Sequence, residues 1–155
     1  MSMNDEPSRN NTVVEILQAR LSDALDLSSQ LRQAHWNVKG PQFMQLHSLF
    51  ESINETMSEH IDLLGERIVS LGGVADGRIR TTAERSTLPD YPLEARSGRA
   101  HLGAIGEALA RFAGAVRSDI AQTADLGDAG TSDIFTEVSR EADKHLWFVN
   151  AHLED

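Results

Sequence analysis

Apolar residues recur every three or four positions along most of this chain, and that rhythm leaves room for helices only. Leu17, Leu21, Ala24, Ser28, Leu31, His35 and Val38 form one face of a helix. Gly40-Pro41 ends it, which predicts a first helix over about 12–39. Thr12-Val13-Val14-Glu15 has the spacing of a capping box and would open it. Residues 1–11 are polar and read as a flexible tail. A second stripe follows at once: Leu46, Phe50, Ile53, Met57, Ile61, Leu64, Ile68 and Leu71, stopped by Gly72-Gly73. Residues 74–92 lack such a pattern and contain Gly77, Pro89 and Pro92, so they read as a long crossover with a short helix near 82–86. A third helix is expected from about 93 to 125, with Leu102, Ile105, Leu109, Phe112, Val116 and Ile120 inward. After a turn at 126–130, Thr131 or Ser132 would cap a fourth helix carrying Ile134, Phe135, Val138, Ala142, Leu146, Val149 and Leu153.

Two long helices joined by so short a turn must be antiparallel neighbours. Two helices, a long crossover and two more describe an all-α four-helix bundle with one long connection, the ferritin-like arrangement. The 155 residues suffice for one domain, expected over 12–155. No apolar run approaches the ~20 residues that span a bilayer, and MSMNDEPSRNN lacks the apolar core of a signal peptide. A cytoplasmic protein with no membrane partner is therefore expected. The absence of cysteine excludes thiolate metal sites. The formal charge is −10, with Lys39 and Lys144 the only lysines. Such a surface favours cations and repels nucleic acid.

The polar residues narrow the chemistry. His47 and Glu51 are four apart and share a helix face, and Asp62 and Glu66 repeat that spacing. Both pairs lie on one strip beside the apolar stripe. His35 sits a turn before the end of the first helix, near the same end of the hairpin as His47. A lone histidine on an apolar face is ordinarily a satisfied core residue, and carboxylates flanking a core stripe are ordinarily a solvated face. Two imidazoles and three carboxylates in paired spacing form instead a ligand set suited to iron, manganese or zinc. His47 and Asp62 are about 22 Å apart along one helix, so they cannot hold the same metal within a chain. A two-fold axis through the strip would set His35, His47 and Glu51 of one copy against Asp62 and Glu66 of the other. The usual ferritin site needs Glu-x-x-His pairs within one bundle. No Glu-x-x-His occurs here, Glu141 and His145 being one residue too far apart.

The block His35-Trp36-Asn37-Val38-Lys39-Gly40-Pro41, a second histidine at His47, and Asp62-x-x-x-Glu66-Arg67 resemble the Dps family, the dodecameric miniferritins. The resemblance continues through Leu71-Gly72-Gly73, Tyr91-Pro92-Leu93, Asp133-Ile134-Phe135 and Asp143-Lys144-x-Leu146-Trp147-Phe148, and covers about residues 12–153. It implies a twelve-copy shell in which His35, His47, Asp62 and Glu66 ligate iron at a two-fold interface. It also implies that iron(II) is oxidised, hydrogen peroxide being favoured over dioxygen, and stored as iron(III) mineral, which protects against oxidative damage. Glu51 departs from the pattern, which usually has aspartate there. Trp36 and Trp147 match family tryptophans near the iron site, where they would pack or absorb stray oxidising equivalents. Asp133, with Asp128 and Glu137, would line an iron-entry pore, although acids near a helix start also complement its dipole. Glu55 and Glu59 would nucleate mineral or simply face solvent. Met57 lies on the apolar stripe, so core packing is expected there and no haem.

DNA binding in such proteins commonly uses a lysine-rich tail. Here 1–11 holds Asp5, Glu6 and Arg9, the chain ends Glu154-Asp155, and twelve copies would multiply the charge of −10 twelvefold. Weak or absent DNA binding is expected. The competing readings are a nucleoid structural protein and a divalent-metal buffer that does not oxidise iron.

Overall fold

The computed structural model of the chain describes residues 5–154. Five helices follow in order: α1 (Asp5–Asn37), α2 (Phe43–Ser70), α3 (Ile79–Arg85), α4 (Gly98–Asp125) and α5 (Ala129–Ala151). Among the described residues the only β-pairing is an isolated bridge between Lys39 and Ser97. The α1·α2 and α4·α5 hairpins pack together through α1·α4 and α2·α5 contacts, and α3 lies on α1. This is the all-α bundle with one long crossover that the periodicity predicts.

The apolar stripes meet in one core. Leu17, Leu31, Phe50, Leu64, Phe112 and Phe135 are fully buried, each worth roughly 1.5–3 kcal/mol in apolar transfer. Met57 is 1% exposed and belongs to this core. Arg20 of α1 pairs with Asp23 and with Asp119 of α4, the latter through Nε to Oδ2 at 2.5 Å. Asp23 also accepts from the Thr87 backbone N–H at 2.7 Å, which pins the crossover to α1. Burial pushes the Asp119 carboxyl up, against the pull of Arg20.

The element ends differ from expectation at four places, one being α3, which begins at Ile79 rather than near 82. Residues 5–11, read as tail, are helical, while 1–4 lie outside the described residues. Thr12 is inside α1, its hydroxyl donating to the Ser8 carbonyl at 3.2 Å. Glu6 and Pro7 fall in the first turn of α1, where an acid complements the helix dipole and a proline is tolerated. α4 begins at Gly98 rather than near 93, with the Ser97 side chain accepting from Ala100 N–H at 3.1 Å. α5 is capped by Asp128, not by Thr131 or Ser132.

Candidate metal centre

The turn between α1 and α2 sets the histidines. Gly40 has φ +117°, a left-handed conformation suited to glycine. Lys39 N–H donates to Arg96 O at 2.9 Å, and Phe43 N–H to Gly40 O at 3.1 Å. α2 thus folds straight back on α1, and the His35 and His47 rings stack with centroids 3.7 Å apart and planes 14° apart. His35 Nδ1 lies 2.7 Å from the His47 carbonyl, and His47 Nδ1 lies 2.6 Å from the His35 carbonyl. A carbonyl only accepts, so each Nδ1 carries the hydrogen and donates it. In the neutral ring each Nε2 then has a free lone pair, the state that ligates a metal. Glu51 approaches His35, its Oε2 standing 3.5 Å from His35 Nε2. The Phe43 ring stacks beside His47 at 5.1 Å.

Asp62 and Glu66 sit at the other end of α2, about 22 Å away along the helix. Both are exposed, and neither makes a side-chain hydrogen bond or ion pair among the described residues. They border an apolar depression of about 600 Å³ lined by Leu21, Leu25, Ile61, Val69 and Ala75. Nearby Val74 and Ile79 of the crossover are 87% and 86% exposed. Among the described residues no group of three or more histidines and carboxylates converges within one chain. The structure sets His35 against His47 and Glu51 against His35, and leaves Asp62 and Glu66 at the other end of α2.

Trp36 and Trp147 are 65% and 66% exposed, so neither packs into its own core. Glu55, Glu59, Asp133 and Glu137 are exposed on α2 and α5. Asp128 differs from them. It is buried, accepting from Thr131 N–H at 3.0 Å, Thr131 Oγ1 at 2.8 Å and Arg67 at 2.9 Å. Burial alone would push its carboxyl up, but Thr131 and Arg67 outweigh that and hold it below the ordinary range. This carboxylate caps α5 and ties it to α2.

The remaining histidines have partners that sequence spacing does not reveal. His60 of α2 and His145 of α5 are buried near one another, and burial pushes both imidazoles down. His152 joins the end of α5 to Gln45 of α2 at 3.0 Å. His101 meets Tyr91.

A ferritin-like domain family matches residues 14–155. The chain is 39% identical over 153 residues to the DNA protection during starvation protein of Agrobacterium fabrum, covering 98% of this chain and 94% of that one. The chain belongs to the Dps family. A Dps structure from Mycobacterium smegmatis superposes on this Dps chain with a TM-score of 0.92 at 32% identity, covering 96% of this chain and 90% of the other. The Dps protein of Vibrio cholerae, described as a member of a broad superfamily of ferritin-like diiron-carboxylate proteins, shares the fold. Its TM-score is 0.90 at 24% identity, with 96% of this chain and 92% of that one covered. Among the described residues of this Dps chain, no helix is long and apolar enough to cross a membrane.

Proposed function

We propose that two copies of this Dps chain pair antiparallel across α2 and oxidise iron(II) at two shared sites, each built from His35, His47 and Glu51 of one copy and Asp62 and Glu66 of the other. The observation that carries this reading is the reciprocal pair of Nδ1 hydrogen bonds. Those bonds spend the donor nitrogen of each ring on a carbonyl and leave two Nε2 lone pairs free, that of His35 beside the Glu51 carboxylate. Imidazole with carboxylate suits iron(II) as substrate. The apolar depression beside Asp62 and Glu66 is the surface the second copy would cover.

The oxidant is hydrogen peroxide in preference to dioxygen. Two iron(II) ions give one electron each, the O–O bond breaks, and two protons are taken up to release two waters. The iron(III) passes into a twelve-copy shell as mineral. Asp133 and Glu137 line the iron entry, Glu55 and Glu59 face the cavity, and Trp36 and Trp147 stand near the shared site. The extra methylene of Glu51, relative to aspartate, alters the second metal position more than the first. A DNA-binding role is disfavoured by the charge of −10.

The test is anaerobic. Iron(II) is added to the protein, then peroxide, and the iron(III) absorbance is followed. Oxidation well above the protein-free rate is expected. A rate equal to the protein-free one leaves only a metal buffer. Light scattering on the same sample reads the size of the shell.

A further inference from the structure

Tyr91 is the chain's only tyrosine. It lies in the crossover, half-buried, and its phenolic oxygen is hydrogen-bonded to His101 Nδ1. The two rings are 5.8 Å apart and 23° from parallel. His101, in the first turn of α4, is 1% exposed. Its Nε2 is buried without a hydrogen-bond partner; burial and nearby Arg96 push the imidazole down, against the main-chain carbonyls of Asn37 and Ala95.

Those carbonyls assign the tautomer. An unprotonated Nε2 would turn a lone pair toward two acceptors, so Nε2 carries the hydrogen. Nδ1 is then bare, and the Tyr91 hydroxyl must donate to it. The arrangement is a phenol with a buried, uncharged base already on its proton. A structural strut would need only a hydrogen bond, and serine, asparagine or glutamine could supply one. Asn37 is two residues from His35, so the pair stands at the histidine end of the bundle.

We propose that Tyr91 and His101 form a redox pair, in which Tyr91 yields an electron to a strong one-electron oxidant while its proton passes to His101 Nδ1. An oxidised phenol is far too acidic to keep its proton, so a base already in place removes that barrier. The oxidant is peroxide reacting with a single iron(II), the case in which one metal position of the shared site is empty. Iron gives one electron and Tyr91 the other, the O–O bond breaks, and two hydroxide ions leave. The tyrosyl radical keeps the electron hole, and His101 keeps the proton. A later iron(II) returns the electron as it becomes iron(III), and His101 returns the proton. Hydroxyl radical is thereby quenched at one chosen residue. The iron half of this sequence rests on the proposed ferroxidase, but the Tyr91–His101 pair does not.

The test separates the two. Iron-free protein is oxidised with photogenerated tris(bipyridine)ruthenium(III), and the radical is read by electron paramagnetic resonance. A tyrosyl signal is expected in the wild type and none in Tyr91→Phe. His101→Gln keeps a hydrogen-bonding side chain but not a base, and should slow radical formation by at least about tenfold. Equal rates overturn the proposal. Deuterium electron–nuclear double resonance on the wild type in D2O needs no variant. One strongly coupled deuteron at the phenoxyl oxygen is expected, the one held by His101, and its absence also overturns the pair. With iron(II) below one per site and peroxide, Tyr91→Phe should release more spin-trapped hydroxyl radical. An unchanged yield would remove the pair from the iron reaction.

Discussion

At the N-terminal end of α2, His47 and its neighbour His35 are held before any metal arrives. Their rings stack, each Nδ1 is bonded to the other's carbonyl, and Glu51 waits 3.5 Å from His35 Nε2. At the C-terminal end, Asp62 and Glu66 are exposed and unbonded beside an apolar depression. The two ends use different physics. An imidazole must be given the right tautomer to ligate at all, and backbone carbonyls within one chain can do that. A carboxylate presents two equivalent oxygens and needs only position, which a partner's surface can supply. In the proposed pairing, the helix thus separates what one chain organises by itself from what only a pair completes.

The strongest way to break this contrast is complementation. His47→Ala and Asp62→Asn oligomers should each oxidise iron at the protein-free rate. In a co-expressed one-to-one mixture, half the dimers are mixed and each holds one intact site, so about a quarter of the wild-type sites should return. No recovery would mean that the two halves are not shared. Val69→Glu comes next. Val69 lines the depression and is 59% exposed in the single chain, and pairing would bury the new carboxylate at about 3–5 kcal/mol. Smaller particles in light scattering and lost oxidation are expected, while the histidine tautomers, read by nitrogen NMR, stay as they are.

Gly40→Ala strikes the other end alone. A Cβ there would meet nothing within 4 Å, yet φ is +117°, so the cost is backbone strain of about 1–3 kcal/mol. A lower thermal midpoint is expected, with weaker metal binding at the histidines.

The smallest effect concerns the span between the ends. Burial pushes the His60 and His145 imidazoles down, against the carboxylates of Glu59, Glu137 and Glu141, and Lys144 adds to the push on His145. Their folded pKa values lie below the unfolded one, so the unfolded chain takes up protons first as pH falls through about 6.5. Stability should decline from there until the folded imidazoles themselves titrate. The double variant His60→Leu/His145→Leu should show a flatter midpoint between pH 7 and 5, and an unchanged slope would place the acid sensitivity elsewhere.

The bundle was legible because its core stripes are long and uninterrupted, and Leu46 to Ile68 sit where their period puts them. The paired spacing of His47 with Glu51 and Asp62 with Glu66 was legible for the same reason, since both pairs ride a helix. What the sequence hid were contacts across elements. The reciprocal histidine bonds exist only once Gly40 has closed the hairpin. Asp128 was hidden by Thr131 and Ser132, which are equally good caps by type; the choice is made by Arg67, far away in sequence. Tyr91 lies in an irregular segment with no period to align it with His101. By sequence α1 starts at Thr12, because Thr12 and Glu15 have capping-box spacing, while the described helix already runs from Asp5.

In the proposed pairing, placing histidines and carboxylates about four helical turns apart also sets an order of events in the life of the chain. A newly made or unfolded copy carries ligands for iron but no assembled centre, so it cannot start peroxide chemistry on itself. The activity switches on with assembly, when the mineral has somewhere to go. Dilution below the pairing constant switches it off again, and the rate at low protein should fall with the square of concentration rather than in proportion to it.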